Sequence, residues 1–182
     1  MPGFLKNVCY SRRFFSGTGV KWLLVLLLVP GIFLSAVSVH AAERRDFREF
    51  TIEVPEGWEM QMDELRTQHG VNVVFAAGRS DSIKILIVNF TSSMGKSMDD
   101  LVSDARHKAG ARGTFFEVVS QTGTRAVFNV ELRGYPARII LVLDPENQKV
   151  AILTMAGRWQ EAEHVARTIV PLNPKLVFFE QP

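Results

Sequence analysis

Gly95-Lys96-Ser97 has the ending of a phosphate-binding loop, in which backbone N–H groups cradle phosphate and a lysine neutralises it. The full pattern places another glycine five residues before Gly95, where backbone must approach phosphate closely, and Phe90 stands there. The triplet therefore reads as a loop leading into a helix cap. Asp100, Asp104 and His107 follow at spacings of four and three, which on a helix puts them on one face and within reach of a shared metal ion. The same spacing describes a solvated polar face, and a metal site would need ligands from elsewhere and groups to orient them. No cofactor is called from these residues.

His69 falls in a loop, and His164 on a polar helix face beside Glu161 and Glu163. A hydrolytic triad could be assembled on paper from such parts. No G-x-S-x-G elbow is present, however, and the one cysteine, Cys9, lies in an N-terminal leader. The domain is therefore read as non-enzymatic. Two aromatic pairs remain, Phe115-Phe116 and Phe178-Phe179. Alternation along extended backbone turns one ring of each pair outward, where it would anchor a protein interface.

The elements that must position these residues follow from periodicity. Phe50, Ile52 and Val54 alternate with Thr51 and Glu53, so Phe50–Val54 predicts a half-buried strand. Pro55-Glu56-Gly57 turns the chain, and Trp58, Met60 and Met62 alternate in a short second strand. Glu64 to Gly70 is polar and reads as a loop. Val71–Ala77 and Ile83–Phe90 predict further strands, the latter the most apolar and placed centrally. Ser97 is an N-cap with Asp99 and Asp100 in the first turn. Met98, Leu101, Val102, Ala105 and Ala109 then make one apolar stripe, which Lys108 and Gly110 close. Strands over Thr114–Gln121, Arg125–Leu132, Tyr135–Leu143 and Val150–Met155 follow with short turns. A second helix is predicted over Trp159–Val170, with Glu163 and Arg167 paired on its outer side. The tail from Lys175 to Phe179 either adds an edge strand or lies against the body. This order predicts an α+β fold, a mostly antiparallel β-sheet with helices packed on it.

The 182 residues carry 21 basic and 19 acidic side chains. Lys6, Arg12, Arg13 and Lys21 all precede residue 42 without any acid, which leaves 17 basic against 19 acidic residues in 42–182. Near-neutral, interspersed charge excludes a nucleic-acid surface. Residues 1–41 read as a secretory signal peptide: basic residues, the apolar run from Trp22, then Val39-His40-Ala41 at the exit. Cleavage after Ala41 would release a periplasmic domain of residues 42–182, with membrane contact only if cleavage failed. The competing reading is an inner-membrane anchor, which Pro30-Gly31 in mid-run disfavours. Ser11-Arg12-Arg13-Phe14-Phe15 matches the twin-arginine export pattern in part, with Ser16 and Gly17 departing from it. Either that route or general secretion fits, and on the first the domain crosses the membrane already folded.

Phe50, Ile52, Val54, Pro55, Gly57 and Trp58 form F-x-I-x-V-P-x-G-W, which resembles the opening of PsbP-like and DcrB-like domains. The later strand meander and the passage from Leu153-Thr154-Met155-Ala156-Gly157 into a last helix are similar to that family too. The resemblance implies an α/β/α sandwich. It also implies an accessory role, assisting or stabilising a larger periplasmic or membrane-associated complex through an unidentified protein partner. The alternative is a small-molecule or metal-binding protein with its pocket between sheet and helix.

Overall fold

The computed structural model describes residues 42–62 and 70–180. The export-signal arginines Arg12 and Arg13, the remainder of the leader, and His69 lie outside the described residues. Seven strands form one sheet in the order β3-β4-β5-β9-β8-β7-β6, and each neighbouring pair is antiparallel. They are β3 (Glu59–Met62), β4 (Gly70–Ala77), β5 (Lys84–Ser92), β6 (Phe116–Gln121), β7 (Arg125–Leu132), β8 (Tyr135–Asp144) and β9 (Lys149–Gly157). The apolar segment expected at the centre, β5, is interior; the middle position belongs to β9.

A smaller sheet, β1-β2-β10, is built on the predicted first strand. β2 (Phe50–Val54) pairs with β1 (Glu43–Asp46) on one side and β10 (Val170–Pro171) on the other. Phe50, Ile52 and Val54 are buried and Glu53 is exposed, as the alternation requires. Gly57 takes φ +83° in the turn that follows, a conformation a Cβ would disfavour.

The helices pack on opposite faces of the large sheet. One face carries Val73, Phe75, Leu86, Val88, Phe90, Leu153 and Met155. It is covered by β2, by Ala162, Val165 and Ala166 of α2 (Trp159–Ala166), and by Leu176 and Phe178 of the tail. The rings of Phe47, Phe50, Phe90 and Phe178 run across it in a chain, with successive centroids 4.9, 5.3 and 5.9 Å apart. The opposite face carries Ala126, Phe128, Val130, Leu141 and Val150, and its cover is α1 (Met98–Ala111).

Two helix bounds are corrected. The first helix does not stop at Lys108 and Gly110 but runs to Ala111, and the left-handed residue after it is Gly113 at φ +64°. The second ends at Ala166 rather than Val170, because Val170 and Pro171 extend to pair with Thr51 and Phe50. Of the two courses open to the tail it takes the second: a 3₁₀ turn over Pro174–Leu176 lays it against the body, with Leu176 and Phe178 buried. Gly157 at φ +74° makes the passage from β9 to α2 possible, since a Cβ there would meet the Ile83 carbonyl oxygen at 2.1 Å.

Candidate binding groove

The local sequence around α1 fixes one wall of a groove. Ser97 Oγ accepts from the Asp100 backbone N–H at 3.2 Å, and Asp100 Oδ2 accepts from the Ser97 backbone N–H at 3.0 Å, a capping box that anchors the helix start. The Ser97 hydroxyl also donates to Asp100 Oδ2 at 2.7 Å, and this bond first, with that from the Ser97 backbone N–H, holds the Asp100 carboxyl below its usual pKa. Lys96 Nζ meets Asp104 Oδ2 at 2.5 Å, which lowers the aspartate and raises the lysine. The two carboxylates of the predicted metal trio are thus engaged in capping and ion pairing. Among the described residues, no group of three His, Cys, Asp or Glu side chains is placed to hold a metal ion.

Buried Met98, Val102 and Ala109 seat α1 over β6 and β7. The helix does not reach across the whole face. Between it and the sheet runs an open groove of about 800 Å³, floored by Phe128, Val130, Ile139, Leu141, Val150 and Ile152 and walled by Leu101, Ala105 and Ala109. Ile139 and Ile152 stay half-buried although they sit on interior strands. Charge gathers at the rim: Lys96, Lys108, Arg112 and Arg133 against Asp104 and Glu131. Among the described residues, only the Lys96–Asp104 ion pair ties any of these together.

One end of the groove is formed by the turn Ser93-Met94-Gly95-Lys96, closed by a hydrogen bond from Lys96 N to Ser93 O at 3.0 Å. Met94 adopts φ +54° and is 75 % exposed. A methionine in left-handed backbone is disfavoured, and an exposed thioether gains nothing from burial. Local energetics therefore favour neither the conformation nor the placement. An adaptable apolar side chain at the mouth of an apolar groove is what a binding surface uses.

The four predicted interface aromatics separate. Phe115 is 57 % exposed and borders a depression of about 360 Å³ that shares Val130 and Glu131 with the groove. Phe116 turns inward and packs tilted against Phe128, with ring centroids 4.9 Å apart. Phe178, only 2 % exposed, is core rather than interface, because its ring closes the aromatic chain against Phe90. Phe179 lies half-buried beneath the Arg167 guanidinium, 4.6 Å from its centroid. His164 and Glu163 lie on α2, which packs on the face of the sheet opposite to the groove, and Glu163 pairs with Arg167 at 2.5 Å as expected. The groove itself escaped the sequence reading except as a space between sheet and helix; the signal available was Met94, a large apolar residue beside glycine in a polar turn.

The fold is an α+β domain with an open, largely apolar groove on one sheet face. No family model and no curated protein matches the chain. Among solved structures it is similar to the Saccharomyces cerevisiae Ran-binding protein Mog1p, at 12% identity over 71% of this chain and 94% of that one, with a TM-score of 0.49. A mutant form of Mog1 aligns at 12% identity over 73% and 97%, with a TM-score of 0.50. At that identity the likeness concerns the fold alone, an antiparallel sheet with helices on it.

Proposed function

We propose that the chain is an exported, non-enzymatic accessory domain that binds a protein partner in the periplasm through the groove beside α1. The observation that carries this reading is the half-open apolar floor with exposed Met94 at its mouth. Apolar surface left open between a helix and a sheet is stabilised when a partner covers it. Phe115 points away from the groove, since its neighbour Phe116 faces α1, and is not counted in this surface. The resemblance of Phe50–Trp58 to PsbP-like and DcrB-like openings supports the accessory role, and the leader supports export. The name of Mog1p records a protein partner, Ran, for that protein, and supplies no partner here.

The test compares the C-terminally tagged chain with Ala105→Trp, which fills the groove, in pull-downs from the native periplasm. A stoichiometric partner retained by the first and lost by the second supports the reading; equal retention overturns the groove as its site. Export is read separately, by fractionation of the wild-type chain and of Arg12→Lys/Arg13→Lys. Periplasmic recovery supports the localisation, and its loss in the double variant selects the twin-arginine route.

A second reading rests on the size of the groove. About 800 Å³ falls within the range of small-molecule sites. On that reading an anionic amphiphile such as dodecanoate raises the melting temperature of the wild-type chain and leaves that of Ala105→Trp unchanged.

A further inference from the structure

We infer that the occupant of the groove is an amphipathic helix of a partner protein, apolar toward the sheet and acidic along its flanks, lying beside α1. The inference rests on the groove being the docking site and names the chemistry that fills it. The floor is a sheet face, and its strands are interior: β8 is paired along its length with β7 on one side and β9 on the other. No backbone donor or acceptor is left there for an added strand. An occupant must satisfy its own backbone, which a helix does. A helix set beside the 14-residue α1 at about 8–10 Å would complete the layer that α1 begins.

The flanks are read from the rim. Lys108 and Arg112 project from the last turns of α1 and its cap, and Arg133 from the β7–β8 turn. All three are exposed and make no ion pair among the described residues. Asp104 already serves Lys96, which leaves Glu131 as the rim's other carboxylate. A positive rim on a chain that is net acidic from residue 42 onward complements carboxylates. It disfavours the chain's own leader, whose four charges are all basic, and a second copy docked groove to groove, which would oppose like charges. Met94 at the groove's end lets the apolar contact adjust to the segment that enters.

The test uses the full chain and labelled peptides of roughly 18 residues, about 27 Å of helix, followed by fluorescence anisotropy at low salt. One peptide carries a leucine stripe flanked by glutamates, one the same stripe flanked by lysines, and one the glutamate composition in scrambled order. The glutamate peptide is expected to bind on the order of tenfold tighter than the lysine peptide, and the scrambled one not at all. The triple variant Lys108→Glu/Arg112→Glu/Arg133→Glu changes only exposed side chains, and is expected to reverse the preference. Equal binding of both striped peptides, abolished by Ala105→Trp, overturns the acidic helix and leaves the groove as a site. Peptide binding untouched by Ala105→Trp overturns both. Binding of dodecanoate with no peptide binding overturns the helix in favour of the small-molecule reading.

Discussion

The two faces of the large sheet are closed in different ways. On one, β2, α2 and the tail converge from separate parts of the chain, and Phe50, Ile52, Leu176 and Phe178 leave almost no surface open. On the other, a single helix spans β6 and β7, and Ile139 and Ile152 remain half-covered. A face sealed by three elements carries stability. A face covered by one leaves part of its apolar surface open to solvent. The division of labour follows from where the apolar area is already spent.

Truncation should break this contrast most sharply. Phe50→Ala removes a ring stacked between Phe47 and Phe90 in the closed face, and is expected to cost about 3–5 kcal/mol in urea denaturation. Ile152→Ala, on the half-open floor, forfeits less burial and leaves space already continuous with solvent, so about 1–2 kcal/mol is expected. Equal losses would mean the two faces are equally packed in solution.

The closed face also contains a titratable clasp. Asp144 has no exposed surface and accepts from Asn147 Nδ2 at 2.6 Å and Asn173 Nδ2 at 2.8 Å, joining the β8–β9 turn to the tail. Those bonds, Asn147 first, hold its carboxyl below 3.8, its ordinary value. A depressed folded pKa contributes stability that is full above the ordinary value and lost as pH falls through the folded one. Asp144→Asn should therefore lower the denaturation midpoint at neutral pH, and the two midpoints should converge as acid protonates the wild-type side chain. A constant gap across the acid range would show that the clasp is packing and not charge.

How much of this was legible depends on what each segment's order relies on. Phe50–Val54, Arg125–Leu132 and the Ser97 cap were readable because alternation and capping chemistry are local. Glu43–Asp46 was not: every side chain in Glu43-Arg44-Arg45-Asp46 is charged, so no alternation marks it, and only pairing with Thr51–Val54 across the turn at Phe47–Phe50 makes it a strand. The second helix was overextended because Ile169 continues the apolar period, yet it stays buried after the helix has ended. Phe178 looked like a surface anchor because tail burial is decided by an aromatic chain assembled from two other segments, Phe47–Phe50 and β5. The groove was foreseen only as a space between sheet and helix, and its extent was invisible for a related reason. Periodicity tells which residues share a face, and not how much of that face a neighbouring helix covers.

The open face depends on α1 staying in place, and its cap is the smaller lever. Ser97→Ala removes the acceptor for the Asp100 N–H, and should cost about 1 kcal/mol. Fraying of the first turn would loosen the wall that Leu101 provides. Binding of the glutamate-flanked peptide should weaken along with stability, whereas Ile52→Val in the closed face should lower stability by about the same amount and leave peptide affinity unchanged. Parallel losses of affinity in the two variants would mean that the groove reports on global stability alone.

Met94 gives the smallest effect and the sharpest division between the faces. Its left-handed backbone is disfavoured for a side chain with a Cβ, so Met94→Gly should relieve strain and raise stability by up to about 1 kcal/mol. The turn is kept, because the Lys96 to Ser93 hydrogen bond needs only backbone. What disappears is the exposed apolar arm at the groove mouth. A variant that gains stability while losing peptide affinity separates folding from binding at one residue, as expected where local strain is retained for contact with a partner. Met94→Gly with unchanged affinity would move the binding surface away from the mouth, toward the floor between Ile139 and Ile152.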